Sequence, residues 1–106
     1  MLSVKLYNST MIASFGDDAT ADLYHGRRTN RVRRFPHDIQ QRALVKLDVL
    51  NAAHELIDLR SPPGNRLEAL SGDWAGFHSI RVNEQWRIVF RWESGNAYAV
   101  QLVDYH

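Results

Sequence analysis

At 106 residues the chain has the length of one domain, and a composition of 44% hydrophobic and 24% charged residues is that of a globular protein, not a disordered one. No run of about 18 apolar residues is long enough to span a bilayer, and the N-terminus lacks the apolar stretch of a signal peptide, so the expected setting is the cytoplasm, with no membrane partner. A net charge of +1 says little about partners, and the absence of cysteine excludes disulfides and thiolate chemistry.

The distribution of charge says more than its sum. Lys5 stands against Asp17, Asp18 and Asp22 in the first 26 residues, after which Arg27, Arg28, Arg31, Arg33 and Arg34 come in one burst. A basic patch of that density suits phosphates or an acidic protein. Residues 1–10 read as an N-terminal extension, and residues 11–15 as a short strand that opens the domain. Asp17 or Asp18 then caps a short helix through Leu23 and Tyr24, which Gly26 ends. The arginine burst is predicted to be an exposed connection.

Pro36 and Asp38 open a longer helix over about residues 37–53. Its apolar stripe is Ile39, Ala43, Leu47 and Leu50, with Leu44 alongside. Residues 61–65 (Ser-Pro-Pro-Gly-Asn) are an emphatic loop. Four consecutive strands follow, over about residues 66–70, 77–82, 85–93 and 98–104, separated by turns at Gly72, Asn83 and Gly95. The third alternates most strictly: Trp86, Ile88, Phe90 and Trp92 fall on one face and Arg87, Val89 and Arg91 on the other. Two helices followed by four strands, with a short strand near Met11, predict an α+β fold. Two helices cover one face of a curved, mainly antiparallel sheet of four to five strands, and Arg87 and Arg91 point from the open face.

Metal chemistry is not indicated. His25, His37, His54, His78 and His106 lack the close spacings of zinc motifs, and no glycine-rich loop marks a nucleotide, so no cofactor is expected. The positive constellation is Arg66 and Glu68, Arg81, Arg87 and Arg91, and the closing Asp104-Tyr105-His106. In a meander with strands about 4.8 Å apart these residues converge on one patch. Guanidiniums for phosphates, a carboxylate and an imidazole for protons and a phenol for stacking are what RNA cleavage through the ribose 2′-OH requires. The plainer reading makes Arg66 and Glu68 a surface ion pair and Tyr105-His106 a frayed end.

Asn65-Arg66-Leu67-Glu68-Ala69-Leu70, Gly72-Asp73, Gly76, Ser79-Ile80-Arg81-Val82-Asn83, Gln85-Trp86-Arg87-Ile88 and Asp104-Tyr105-His106 together resemble the HigB (plasmid-maintenance killer) toxins of the RelE/ParE superfamily, over residues 11–106. The resemblance implies a RelE-like fold and a type II toxin that enters the ribosomal A site and cuts translated mRNA without a metal. It implies a helix-turn-helix (HigA-like) antitoxin as partner, with operator DNA reached only through that antitoxin. Arg87 falls on the family's phosphate-binding arginine, with Arg66, Arg81 and Arg91 as further candidates. Asp104, Tyr105 and His106 match its terminal catalytic triplet. Glu68 stands where some members have histidine, which leaves the general base open between Glu68 and His106. The superfamily also includes gyrase-directed, ParE-like inhibitors, and an inactive antitoxin-binding module is a third reading, since fold alone does not set the target.

Overall fold

A computed structural model describes residues 12–105; the proposed extension and His106 lie outside the described residues. Among the described residues three α-helices precede a four-stranded sheet: α1 Asp18–Tyr24, α2 Asn30–Arg33 and α3 His37–Ala52, then β1 Glu68–Ala69, β2 His78–Arg81, β3 Trp86–Glu93 and β4 Asn96–Asp104. The strands lie side by side in chain order, each antiparallel to the next, as consecutive hairpins require. The α+β architecture is therefore the one expected, with the short helix α2 as an addition among the described residues.

The core is built where two periodicities meet. α3 buries Ile39, Ala43, Leu47 and Leu50, the predicted stripe, against the sheet face that carries Ile80, Ile88, Phe90, Val100 and Leu102. Each fully buried leucine or phenylalanine removes enough apolar surface from water to contribute about 1.5–3 kcal/mol. Trp86 and Trp92, at the two ends of β3, pack against this core while remaining partly exposed, and the Phe35 ring meets Trp86 edge-on at 5.7 Å.

The outer edge of β4 is closed by the first described residues. Ile12 and Phe15 form isolated parallel bridges to Ala97 and Val100, not the strand expected from residue 11. The Ala13 amide donates to the Ala97 carbonyl at 2.7 Å, Val100 donates to the Ser14 carbonyl at 3.1 Å, and Leu102 donates to the Oγ1 of buried Thr20 at 2.9 Å. Edge donors left bare would invite another chain, and here they are satisfied within this one. Ala99, at φ 54, shifts the β3–β4 register between Val89 and Arg91 and returns Val100 and Leu102 to the core side.

The arginine burst is exposed, as predicted, but it is not a plain connection, because a short helix forms within it. Thr29 accepts the Val32 amide and opens α2, whose Val32 is buried, and two of the five arginines are tied down by Asp22. The Asp22 carboxylate, 4% exposed, accepts from Thr29 Oγ1 at 2.9 Å and Arg31 Nε at 3.0 Å, and Arg27 Nη1 lies 3.4 Å away. The Thr29 hydrogen bond, with help from Arg31 and against the opposing cost of burial, lowers the Asp22 pKa from its ordinary 3.8. A depressed carboxylate stabilises the fold above its unfolded pKa, and that contribution is lost as pH falls through the lower folded value. Asp22→Asn is therefore expected to lower the urea midpoint by a constant amount above about pH 5 and by progressively less below about pH 4. A wild-type advantage that persisted undiminished to pH 2 would show that the ionised form is not what matters.

Candidate functional site

The site is assembled on the sheet face turned away from α3, by the β2–β3 hairpin. Asn83 Oδ1 accepts the amides of Gln85 at 2.8 Å and Trp86 at 2.7 Å, a turn closed by a side chain, and this fixes the register in which Arg81 faces Arg87 and Ser79 faces Val89. Cross-strand partners share a face, so these four side chains lie together. The face is not open as expected. Ser79 and Val89 are fully buried, Val89 stands apart from the helix-side core, and the Arg87 side chain is only 14% exposed.

Arg87 is the centre of this group. Its Nη1 donates to Ser79 Oγ at 2.7 Å and to Glu68 Oε1, on β1, at 2.9 Å, and its guanidinium lies over the Tyr105 ring at 5.3 Å. Glu68 reaches it because β1 pairs with β2, Glu68 opposite Ser79. One nitrogen thus serves both partners, and among the described residues Nε and Nη2 make no hydrogen bond. A planar fork bonded through Nη1, stacked on a phenol and unbonded at Nε and Nη2 keeps two parallel donors of the kind that suit a phosphate. Such a phosphate would arrive beside a half-exposed carboxylate that is already within hydrogen-bond reach of the same guanidinium.

Three other expected residues stand elsewhere. Arg66 adopts a left-handed conformation, φ 46, at the end of the turn Pro63–Asn65 and is exposed. It therefore cannot share a strand with Glu68, and β1 is only two residues long. Arg91 lies four residues along β3 from Arg87, about 13 Å by strand rise, with its guanidinium over Phe77 at 5.2 Å and Glu93 at 4.0 Å. Asp104 pairs in register with Trp86, on the helix side of the sheet, and accepts from Gln85 Nε2 at 3.0 Å. Asp104 and Tyr105 therefore lie on opposite faces, because neighbouring residues at the end of a strand point opposite ways. Arg81 does join Arg87, and His106 lies outside the described residues.

Ser79 is the partner the sequence reading missed. It lies two residues before Arg81 on the same strand, so alternation alone places it on the arginine face. No group of three or more histidine, aspartate or glutamate side chains among the described residues is arranged to hold a metal ion, and no helix there is long and apolar enough to cross a membrane.

Comparison with known proteins gives concordant findings. A family model described as the RelE-like toxin of the type II toxin-antitoxin system HigB matches residues 11–106. The chain is 40% identical to Toxin HigB-1 of Vibrio cholerae serotype O1 over 87 residues, 82% of this chain and 90% of that protein. It is 35% identical to Endoribonuclease HigB of Proteus vulgaris over 96 residues, 91% of this chain and all of that protein. Among solved structures, the YoeB-YefM complex from Staphylococcus aureus contains a chain similar in fold, with a TM-score of 0.53 at 16% identity, covering 90% of this chain and 97% of that one.

Proposed function

The chain belongs to the HigB family of RelE-like toxins of type II toxin-antitoxin systems, and from that premise we propose that it is an endoribonuclease that cuts messenger RNA during translation. The observation that carries this reading is the half-satisfied fork of Arg87, with Glu68 2.9 Å from it on one side and Tyr105 beneath it. A phosphodiester on the free edge of the fork would place its ribose 2′-OH near the carboxylate.

Glu68 then accepts the 2′-OH proton as the oxygen attacks phosphorus. The bond from phosphorus to the 5′ oxygen breaks, and the products are a 2′,3′-cyclic phosphate and a 5′-hydroxyl. Arg87 stabilises the charge gathering on the non-bridging oxygens, where fixed donors in a partly dehydrated site are most effective. Tyr105 holds the guanidinium plane and offers a surface for a base. His106, next in the chain, is assigned the proton for the leaving oxygen. Asp104 is assigned a positioning part through Gln85, whose carbonyl also accepts the Tyr105 amide at 2.6 Å.

As a type II toxin the chain has an antitoxin for a partner; we assign it the helix-turn-helix type, and the cytoplasm as the place where both meet the ribosome. The direct test is to incubate the purified chain with ribosomes translating a defined message and to map the cuts by primer extension. Cuts within the frame, abolished by a single 2′-deoxy substitution at the cut nucleotide, support the reading; an uncut message overturns it. In the same assay Glu68→Gln is expected to slow cleavage by about 10²–10⁴-fold. A wild-type rate for that variant would transfer the base to His106.

A further inference from the structure

A second basic feature begins where the Arg87 cluster ends. Between the exposed side of α3 and the turn joining β2 to β3 lies an open cavity of about 730 Å³ bordered by Arg42, Val45, Lys46, Arg81, Asn83 and Glu84. Three basic residues and one acidic residue are among those that line it. Lys46 Nζ donates to Asn65 Oδ1, which anchors the loop on the far wall, whereas among the described residues the side chains of Arg42 and Arg81 make no ion pair or hydrogen bond. Like charges gathered without partners repel one another, and an anion placed among them would relieve that repulsion. Val45, 61% exposed, gives the same cavity an apolar wall.

What the anion belongs to follows from continuity. Arg81 borders the cavity and is also the cross-strand partner of Arg87, one strand spacing away at about 4.8 Å. An extended RNA strand held by Arg87 would have to pass Arg81, at the end of β2, to reach the cavity, and a groove that combines cations along the backbone with an apolar wall is how single strands are held without regard to sequence. We propose that Arg42, Lys46 and Arg81 bind the phosphodiester backbone of RNA continuing from the cut bond. This rests on the endoribonuclease reading, because Arg87 marks where the cut falls. Message and ribosomal RNA share the chemistry, and an acidic antitoxin segment is the competing occupant.

Arg42 is the residue to change, being exposed and free of partners among the described residues, so that Arg42→Glu leaves the fold intact; an unchanged urea midpoint checks this. The affinity of the full chain for a 2′-O-methyl oligoribonucleotide, which lacks the nucleophile, and for ribosomes without message is measured across a range of KCl. Each phosphate contact on a single strand contributes about 0.7 to the slope of log affinity against log salt. Arg42→Glu is expected to reduce that slope by about 0.7 or more and to weaken binding on the order of tenfold, with Arg42→Lys restoring both. A loss with the oligonucleotide assigns the message and supports the proposal; a loss with ribosomes alone would move the contact to ribosomal RNA, which does not continue from the cut bond, and would overturn it. Unchanged affinity and slope with both probes would overturn it, as would normal RNA binding combined with escape from neutralisation by the antitoxin. The two readings fail separately: a wild-type chain that binds both probes yet cuts nothing loses the nuclease assignment and keeps the cavity, whereas an Arg42→Glu variant that binds and cuts as well as the wild type removes only the cavity.

Discussion

Replacing Arg87 by alanine is expected to slow cleavage of translated message about 10²–10³-fold while the protein remains folded and able to bind its antitoxin. The magnitude is that of removing one preorganised donor from developing negative charge. Arg87 meets that description because its Nη1 is committed to Ser79 and Glu68, which fixes the plane, while the opposite edge stays free for the phosphate. The structural cost is modest. Glu68 is about half exposed and rehydrates when its partner goes, whereas the buried Ser79 Oγ loses its donor at a cost of about 1–3 kcal/mol. Arg87→Lys is the informative companion, since it retains the charge and loses both the planar fork and its stack on Tyr105, and it should recover only part of the rate. Single-turnover cleavage with a urea melt of each variant separates chemistry from folding. A folded Arg87→Ala protein that cut at the wild-type rate would remove the arginine from the mechanism.

Phe90→Ala is expected to produce the largest loss of stability, about 3–5 kcal/mol. The ring is fully buried at the centre of the sheet, stacks on His78 at 6.1 Å and meets Trp92 edge-on at 6.4 Å, so truncation leaves a cavity that β-sheet neighbours on both sides cannot close. Against a total of about 5–15 kcal/mol for a domain, that loss leaves a substantial unfolded population in the least favourable case. Phe90→Leu keeps most of the volume and should cost far less. Both variants retain Arg87, Glu68 and Tyr105, so their toxicity should follow the amount of folded protein, unlike Arg87→Ala, which accumulates normally and is silent. A Phe90→Ala midpoint within about 1 kcal/mol of wild type would mean that the sheet core repacks more freely than this geometry allows.

The parts of the fold that the sequence made legible are those with a period. Ile39, Ala43, Leu47 and Leu50 mark one helix face by spacing alone, and all four are buried in α3. Trp86, Ile88, Phe90 and Trp92 mark one face of β3 in the same way, and consecutive strands with tight turns leave an antiparallel meander as the simple solution. Glu68, Arg81 and Arg87 could then be brought together by strand order.

Features without a period were not legible. Nothing in the identity of Arg66 announces a left-handed backbone, since arginine carries a Cβ and adopts that region only where the surrounding turn imposes it. The α2 helix is four residues long, too short for periodicity, and its two signals, the Thr29 cap and buried Val32, look like interruptions in an arginine run. The clamp of Asp22 on Arg27 and Arg31 is a tertiary arrangement of charges that composition cannot distinguish from a solvated patch. The separation of Asp104 from Tyr105, by contrast, was readable, because adjacent residues at the end of a strand face opposite ways.

Ribosome-dependent cleavage of messages through Arg87 is the activity proposed for this chain. The most direct measurement is a map of 5′-hydroxyl ends in cellular RNA a few minutes after induction of the wild-type chain, beside a strain expressing Arg87→Ala at equal level. New ends confined to translated frames in the wild type and absent from the variant are the predicted result. Growth arrest with no new ends in the wild type, or the same ends in both strains, would contradict it.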